Sequence, residues 1–299
     1  MFILFFKNLV VFIDIIAFEY TYLYILDFME IISMYKFIVS DLDGTLLSSE
    51  YKITNYTKKV IQDLYKKGFC FLFASGRHYF EILEICNYCK ITAFMITSNG
   101  AKIYNLNKKL IFTSNIDKHV ILNLLKHINL DTDIIMHMYC NEKWYIHKKN
   151  IEKYYYNDRS SCKYQVSDFY FFKMDNVSKI FFTSNYYSKL SLLRKKIINL
   201  FKSDLDLTFS SKTCLEIMSK KVSKGNALNF LMKYLNCSLK DCIAFGNAMN
   251  DIDMLKIAGK ACIMLNSDLE LKNQLPYAEI ILSNDNDGVA RYLEVFLKK

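Results

Sequence analysis

Four apolar runs of strand length in this chain each end abruptly in a loop of small, polar or acidic residues. "KFIVS" (36–40) runs into "DLDGTLL", "FCFLFA" (69–74) into "SGR", "AFMIT" (93–97) into "SNG", and "CIAF" (242–245) into "GNAMND". An unbroken apolar run is what a strand buried on both faces requires, and such strands belong to parallel sheets covered by helices. Helical spacing fills the intervals. Val60, Ile61, Leu64 and Tyr65 share one face between Thr54 and Lys67, with Gly68 as the stop, and a second helix spans roughly 78–88. Near the end of the chain, 225–235 and 250–258 read as helices, followed by "ACIML" (261–265), a short helix, "EIIL" (279–282) and a last helix. This alternation predicts an α/β fold with a Rossmann-like, doubly wound parallel sheet.

The two halves of that pattern are separated by a stretch with a different grammar. Residues 103–217 open on a hairpin-like "KIYNLNKKLIFTS" and continue as helix (117–128), strands (133–139 and 143–148), strand (179–184), helix (188–202) and strands (205–210 and 213–218). The spacing predicts an α+β cap inserted into a core made of 34–102 and 218–299. Residues 1–33 stand apart. They are apolar but carry Lys7, Asp14, Glu19, Asp27 and Glu30, and an acid at a bilayer centre costs about 2.5–3.5 kcal/mol. The segment reads either as an anchoring or amphipathic helix or as sequence upstream of a domain starting at Met34, and any membrane association would run through it alone.

A net charge of +9 raises the question of nucleic acid, but the lysines are scattered and no zinc-finger or RNP-type motif accompanies them. No nucleic-acid partner is expected. Nine cysteines, with only Cys86 and Cys89 at C-x-x-C spacing, predict free thiols rather than a disulfide framework or a zinc site.

Ligands of open α/β sheets bind beyond the carboxyl ends of the strands, where all four polar loops converge. Asp41 and Asp43, two apart on a strand exit, point the same way, so one can act as nucleophile and the other as general acid and base, while Gly44 lets the backbone turn back. Ser75 and Gly76 can donate to a phosphoryl oxygen, and Lys224 at a helix start supplies a compact positive charge. Hard oxygen ligands in a net negative loop suit Mg²⁺. Taken alone, "SGR" is a common loop tripeptide and an acidic helix start merely suits the helix dipole. Four such loops in order are a stronger signal than any one of them.

These motifs resemble those of the haloacid dehalogenase (HAD) superfamily, in particular Cof-type (subclass IIB) phosphatases with a C2B-type cap. "DLDGTLL" (41–47), "SGR" (75–77), "VSKG" (222–225) and "GNAMND" (246–251) match the four family motifs in order, and the likeness spans about 35–299. The resemblance implies a Mg²⁺-dependent phosphatase of small phosphomonoesters, sugar phosphates first, acting through an aspartyl-phosphate on Asp41 with Asp43 as acid and base. It implies Mg²⁺ ligation by Asp41, Asp43 and position 247. Leu42 (through its amide), Ser75, Lys224 and Asn250 would hold the phosphoryl group, with Gly76, Arg77 and Asn99 alongside. It further implies a cytoplasmic enzyme, monomeric or weakly dimeric, whose partner is a small phosphorylated metabolite. Arg77, Glu216 and the aromatic-rich 151–172 are candidates for substrate choice. The chain departs from the family at Asn247, where an aspartate is usual. Asp251 is expected to compensate by moving into the coordination sphere, and a catalytically weak phosphate-binding or regulatory protein, or a phosphomutase, are the rival readings.

Overall fold

The computed structural model describes residues 35–147, 164–169 and 175–298. The 1–33 segment and most of the aromatic-rich 151–172 lie outside the described residues. In chain order the elements are β1 (Phe37–Ser40), α1 (Asn55–Lys66), β2 (Cys70–Ala74), α2 (Tyr79–Cys89), β3 (Ala93–Thr97), β4 (Lys102–Tyr104), β5 (Leu110–Thr113), α3 (Lys118–His127), β6 (Ile135–Cys140) and β7 (Lys143–Ile146). Then follow β8 (Tyr164–Val166), β9 (Val177–Thr183), α4 (Tyr187–Phe201), β10 (Leu205–Ser211), β11 (Cys214–Ser219), α5 (Lys224–Tyr234), β12 (Cys242–Gly246), α6 (Ile252–Ile257), β13 (Lys260–Met264), α7 (Leu269–Gln274), β14 (Glu279–Ile281) and α8 (Gly288–Lys298).

An eight-stranded sheet runs in the order β14-β13-β12-β1-β2-β3-β4-β5, parallel from β14 to β3. Alternate residues of its central strands feed two cores. Ile38, Phe71, Phe73, Met95, Ile243 and Phe245 face α1, α2 and α8 through Ile61, Ile82 and Leu293. Val39, Leu72, Phe94, Ile96 and Ala244 face α5 and α6 through Leu228, Leu231 and Met254. Two covered faces explain why these strands have no polar alternation.

A six-stranded sheet, order β10-β11-β9-β6-β7-β8, carries α3 and α4 on one side, packed through Leu124, Leu190, Ile197, Met138, Phe182 and Leu215. Its other side shows Tyr139, Trp144 and Phe181 and looks onto the loops of the larger sheet. The hairpin expected to open the inserted unit belongs elsewhere. β4 pairs antiparallel with β3 and β5 with β4, extending the eight-stranded sheet. The cysteines among the described residues are free thiols; Cys86 and Cys89 are buried on α2, and burial pushes the Cys86 thiol up to about 12. Among the described residues no helix is long and apolar enough to cross a membrane.

Candidate active site

Asp41 leaves β1 buried, beside the fully buried Lys224. The Lys224 Nζ donates to Asp41 Oδ1 at 2.5 Å and to Asp251 Oδ1 at 2.6 Å. Lys224 is the first residue of α5, where the positive end of the helix dipole opposes a cation. The two carboxylates outweigh that cost, and they hold the Lys224 ammonium protonated well above its usual range against burial. Burial pushes the Asp41 carboxyl up, to about 7, against the pull of Lys224 in the other direction.

Asp251 anchors the loop after β12. Its Oδ2 accepts from the amides of Asn247 (2.9 Å) and Ala248 (3.0 Å), so both its oxygens are engaged away from the Asp41 Oδ2 edge. Asp251, expected as a metal ligand, is the second partner of Lys224. Gly246 is required for this packing, since a Cβ there would lie 2.6 Å from the Asp251 Cβ.

After Asp41 the chain folds back on itself, with the Leu42 carbonyl accepting from the amides of Thr45, Leu46 and Leu47 and Gly44 at φ +75°. The Leu42 side chain is buried, so only its backbone could face a ligand. Asp43 is partly exposed and clamped by Arg77, whose Nε and Nη2 donate to its two carboxylate oxygens at 2.8 and 2.6 Å. Arg77, expected to touch substrate, is thus also the counter-ion of the candidate acid. Asp43 lines an open polar cleft of about 410 Å³ with Ser48, Tyr51, Asn266 and Asp285.

Ser75 is buried at the end of β2, its Oγ accepting from the Arg77 amide at 3.1 Å. Gly76 lies against the Asn99 amide, 3.0 Å from where a Cβ would sit. Asn99 accepts from Asn250 Nδ2 at 3.1 Å and donates to Glu216 Oε2 at 2.8 Å. Glu216, on β11, also accepts from Lys179 Nζ at 2.7 Å, and Lys179 donates to the Gly76 carbonyl at 2.9 Å. A buried ion pair of the smaller sheet therefore grips two site loops of the larger one. Lys179 was missed from sequence; its signal was a charge opening the apolar run "KIFF".

Asn247 closes the site. Thr45 Oγ1 donates to its Oδ1 at 2.9 Å, and that end of the amide lies 3.0 Å from the Asp43 carbonyl oxygen and 3.2 Å from Asp41 Oδ2. Among the described residues no three His, Cys, Asp or Glu side chains cluster as metal ligands; the groups that converge are a carboxylate, a backbone carbonyl and the Asn247 amide.

Comparison with known proteins places this geometry. A family model for haloacid dehalogenase-like hydrolases matches residues 38–293. A Buchnera aphidicola subsp. Schizaphis graminum protein, provisionally named a phosphatase, is 50% identical over 260 residues, covering 87% of this chain and 95% of that one. The HMP-PP phosphatase of Cronobacter sakazakii is 32% identical over 257 residues, covering 86% and 94%. A solved structure of a HAD subclass IIB sugar phosphatase shares the fold with a TM-score of 0.72 at 18% identity, over 87% of this chain and 98% of that one. With the family model matched over residues 38–293, the chain belongs to the haloacid dehalogenase-like hydrolases.

Proposed function

We propose that this enzyme hydrolyses small soluble phosphomonoesters, sugar phosphates foremost, through an aspartyl-phosphate. The observation that carries the reading is Lys224 Nζ held between Asp41 and Asp251. The ammonium keeps the buried Asp41 carboxylate available as a nucleophile and offsets repulsion as it meets an anionic phosphoryl group. Asp41 attacks phosphorus, the bond to the ester oxygen breaks, and the departing alcohol takes a proton from Asp43. Asp43, now a carboxylate, takes a proton from water as that water attacks the acyl phosphate, releasing inorganic phosphate and restoring Asp41. Arg77 holds Asp43 as an ion pair and has to release it for the proton to be carried. Ser75, Asn250 and the Leu42 amide would donate to the phosphoryl oxygens.

The residues fit Mg²⁺. The Asp41 Oδ2 and the Asp43 carbonyl oxygen both face the Asn247 side chain, and hard oxygens of this kind suit a Mg²⁺ ion. Those three groups would hold the cation, which when bound neutralises phosphoryl charge. Asn247 brings an oxygen but no charge, so the site is a weak one, and this favours a low-activity or phosphate-binding protein as the second reading.

Phosphate release from sugar phosphates, nucleotides, HMP-PP and an aryl phosphate, with and without Mg²⁺, tests the proposal. Turnover that Asp41→Asn abolishes is the expected result. Turnover that survives Asp41→Asn refutes the covalent route, and phosphate binding without turnover in the wild type selects the second reading.

A further inference from the structure

The groups around the Asn247 amide satisfy it in one setting, with its nitrogen toward Asp41 and Asp43; the opposite setting asks for a cation. With its oxygen toward Asp41 and Asp43, that oxygen accepts from Thr45 but confronts two further oxygens at 3.0 and 3.2 Å. Oxygens so placed repel unless a cation lies between them. After a half-turn about the terminal side-chain bond, the amide nitrogen occupies the same spot and can donate to the Asp43 carbonyl, to Asp41 Oδ2 and to Thr45 Oγ1 at 2.9 Å, the threonine hydroxyl exchanging its donor role for an acceptor one. The half-turn needs no extra room, because the amide's two ends are nearly equal in size. The other end packs against Gly44, where a Cβ would lie 2.6 Å from it. An aspartate at 247 has no such choice, since both its ends are oxygen.

We propose that Asn247 is a two-position group that stands in for the divalent cation. Nitrogen-forward, it ties Asp41 and Asp43 together by hydrogen bonds; oxygen-forward, it completes the ligand face. The proposal rests on reading those three oxygens as the cation site. Binding of Mg²⁺ then breaks the amide's hydrogen bonds and gains no ligand charge, so affinity is low and the loops keep their geometry without metal.

Calorimetric Mg²⁺ titration and thermal melting of the wild type, Asn247→Asp and Asn247→Ala, in EDTA and in Mg²⁺, read this without turnover. Asn247→Asp is expected to melt below the wild type in EDTA and to bind Mg²⁺ about tenfold to a hundredfold more tightly, with the larger melting shift on adding metal. Asn247→Ala is expected to melt below the wild type in EDTA and to gain little from Mg²⁺. In spectra of ¹⁵N-asparagine-labelled wild type, the Asn247 side-chain amide protons are protected in EDTA and lose that protection in saturating Mg²⁺. Equal Mg²⁺ affinity and equal melting of wild type and Asn247→Asp overturn the stand-in role while leaving the cation site intact. No Mg²⁺ response in a folded Asn247→Asp overturns the cation site itself. Should Asn247→Asp not fold, wild-type amide protons unprotected in EDTA, or Asn247→Ala melting with the wild type, overturn the stand-in role.

Discussion

Replacing Lys224 by methionine tests the arrangement at its centre. The side chain is fully buried, and its ammonium sits 2.5 Å from Asp41 Oδ1 and 2.6 Å from Asp251 Oδ1. Methionine nearly fills the volume, so the change isolates charge from packing. Two buried carboxylates lose their shared cation, and breaking a buried pair in this way costs about 3–5 kcal/mol. That is a large part of the roughly 5–15 kcal/mol that holds a domain folded. For a unit of this size the corresponding drop in melting temperature is roughly 6–20 °C. Burial already pushes the Asp41 carboxyl up, so without the lysine Asp41 takes up a proton, and its nucleophilicity goes with it. The deficit therefore shrinks as pH falls, because protonation removes the charge the lysine would have balanced. The assay is urea unfolding in EDTA at pH 5 and pH 8, alongside phosphate release. Asp41→Asn is the control. It keeps an oxygen for Lys224 and is expected to fold with a far smaller loss while losing all turnover. A Lys224→Met protein within about 1 kcal/mol of wild type at pH 8 would refute the reasoning, as would a deficit that grows on acidification.

Two other predictions concern the layer around the centre. His78 caps α2 with its Nδ1 and is buried; burial pushes its pKa down to about 4 from the ordinary 6.5. Between those values the unfolded chain binds a proton that the folded chain does not, so stability present above pH 6.5 is lost as pH falls toward 4, by about 3 kcal/mol. His78→Asn, which keeps a capping side chain without a titration, should flatten that part of the stability profile; an unchanged slope counts against it. Glu216→Leu removes the acceptor of both Lys179 and Asn99 and leaves a buried ammonium, so a loss of about 3–5 kcal/mol is expected by urea unfolding. Lys179→Met combined with Glu216→Leu should recover most of it, and a double variant as unstable as the single one would contradict the pairing.

What the sequence made legible follows from what is local. β1, β2, β3 and β12 could be read as buried parallel strands because helices cover both faces of the sheet, leaving no polar alternation to dilute the signal. The loops carrying Asp41, Ser75, Asn99 and Asn247 to Asp251 could be read because they follow those strands directly. Which sheet takes the β4–β5 hairpin was not legible. "NLNKK" announces a turn, but the pairing of Ile96 with Ile103 and Thr97 with Lys102 is a register decision with no local mark. The same holds for Arg77, whose role depends on Asp43 lying within reach across a turn 34 residues away, and for Lys179, whose partners come from the Gly76 loop and from β11. For Asp251 the loop was legible, but its bonds to Lys224 and two backbone amides were not, because they depend on how α5 packs beside that loop.

The neighbour of β1 on its second edge is β12, paired from Phe37 with Cys242 to Ser40 with Phe245. Some two hundred residues separate the two strands, and between them lies the entire smaller sheet. A ribosome adding about 5–20 residues per second takes roughly 10–40 s to cover that interval. For most of that time the nascent chain holds a central strand with an open, apolar edge and Asp41 without Lys224 beside it. Closing so long a loop adds little to the equilibrium cost, but the central sheet, and with it the site, is complete only with the last quarter of the chain.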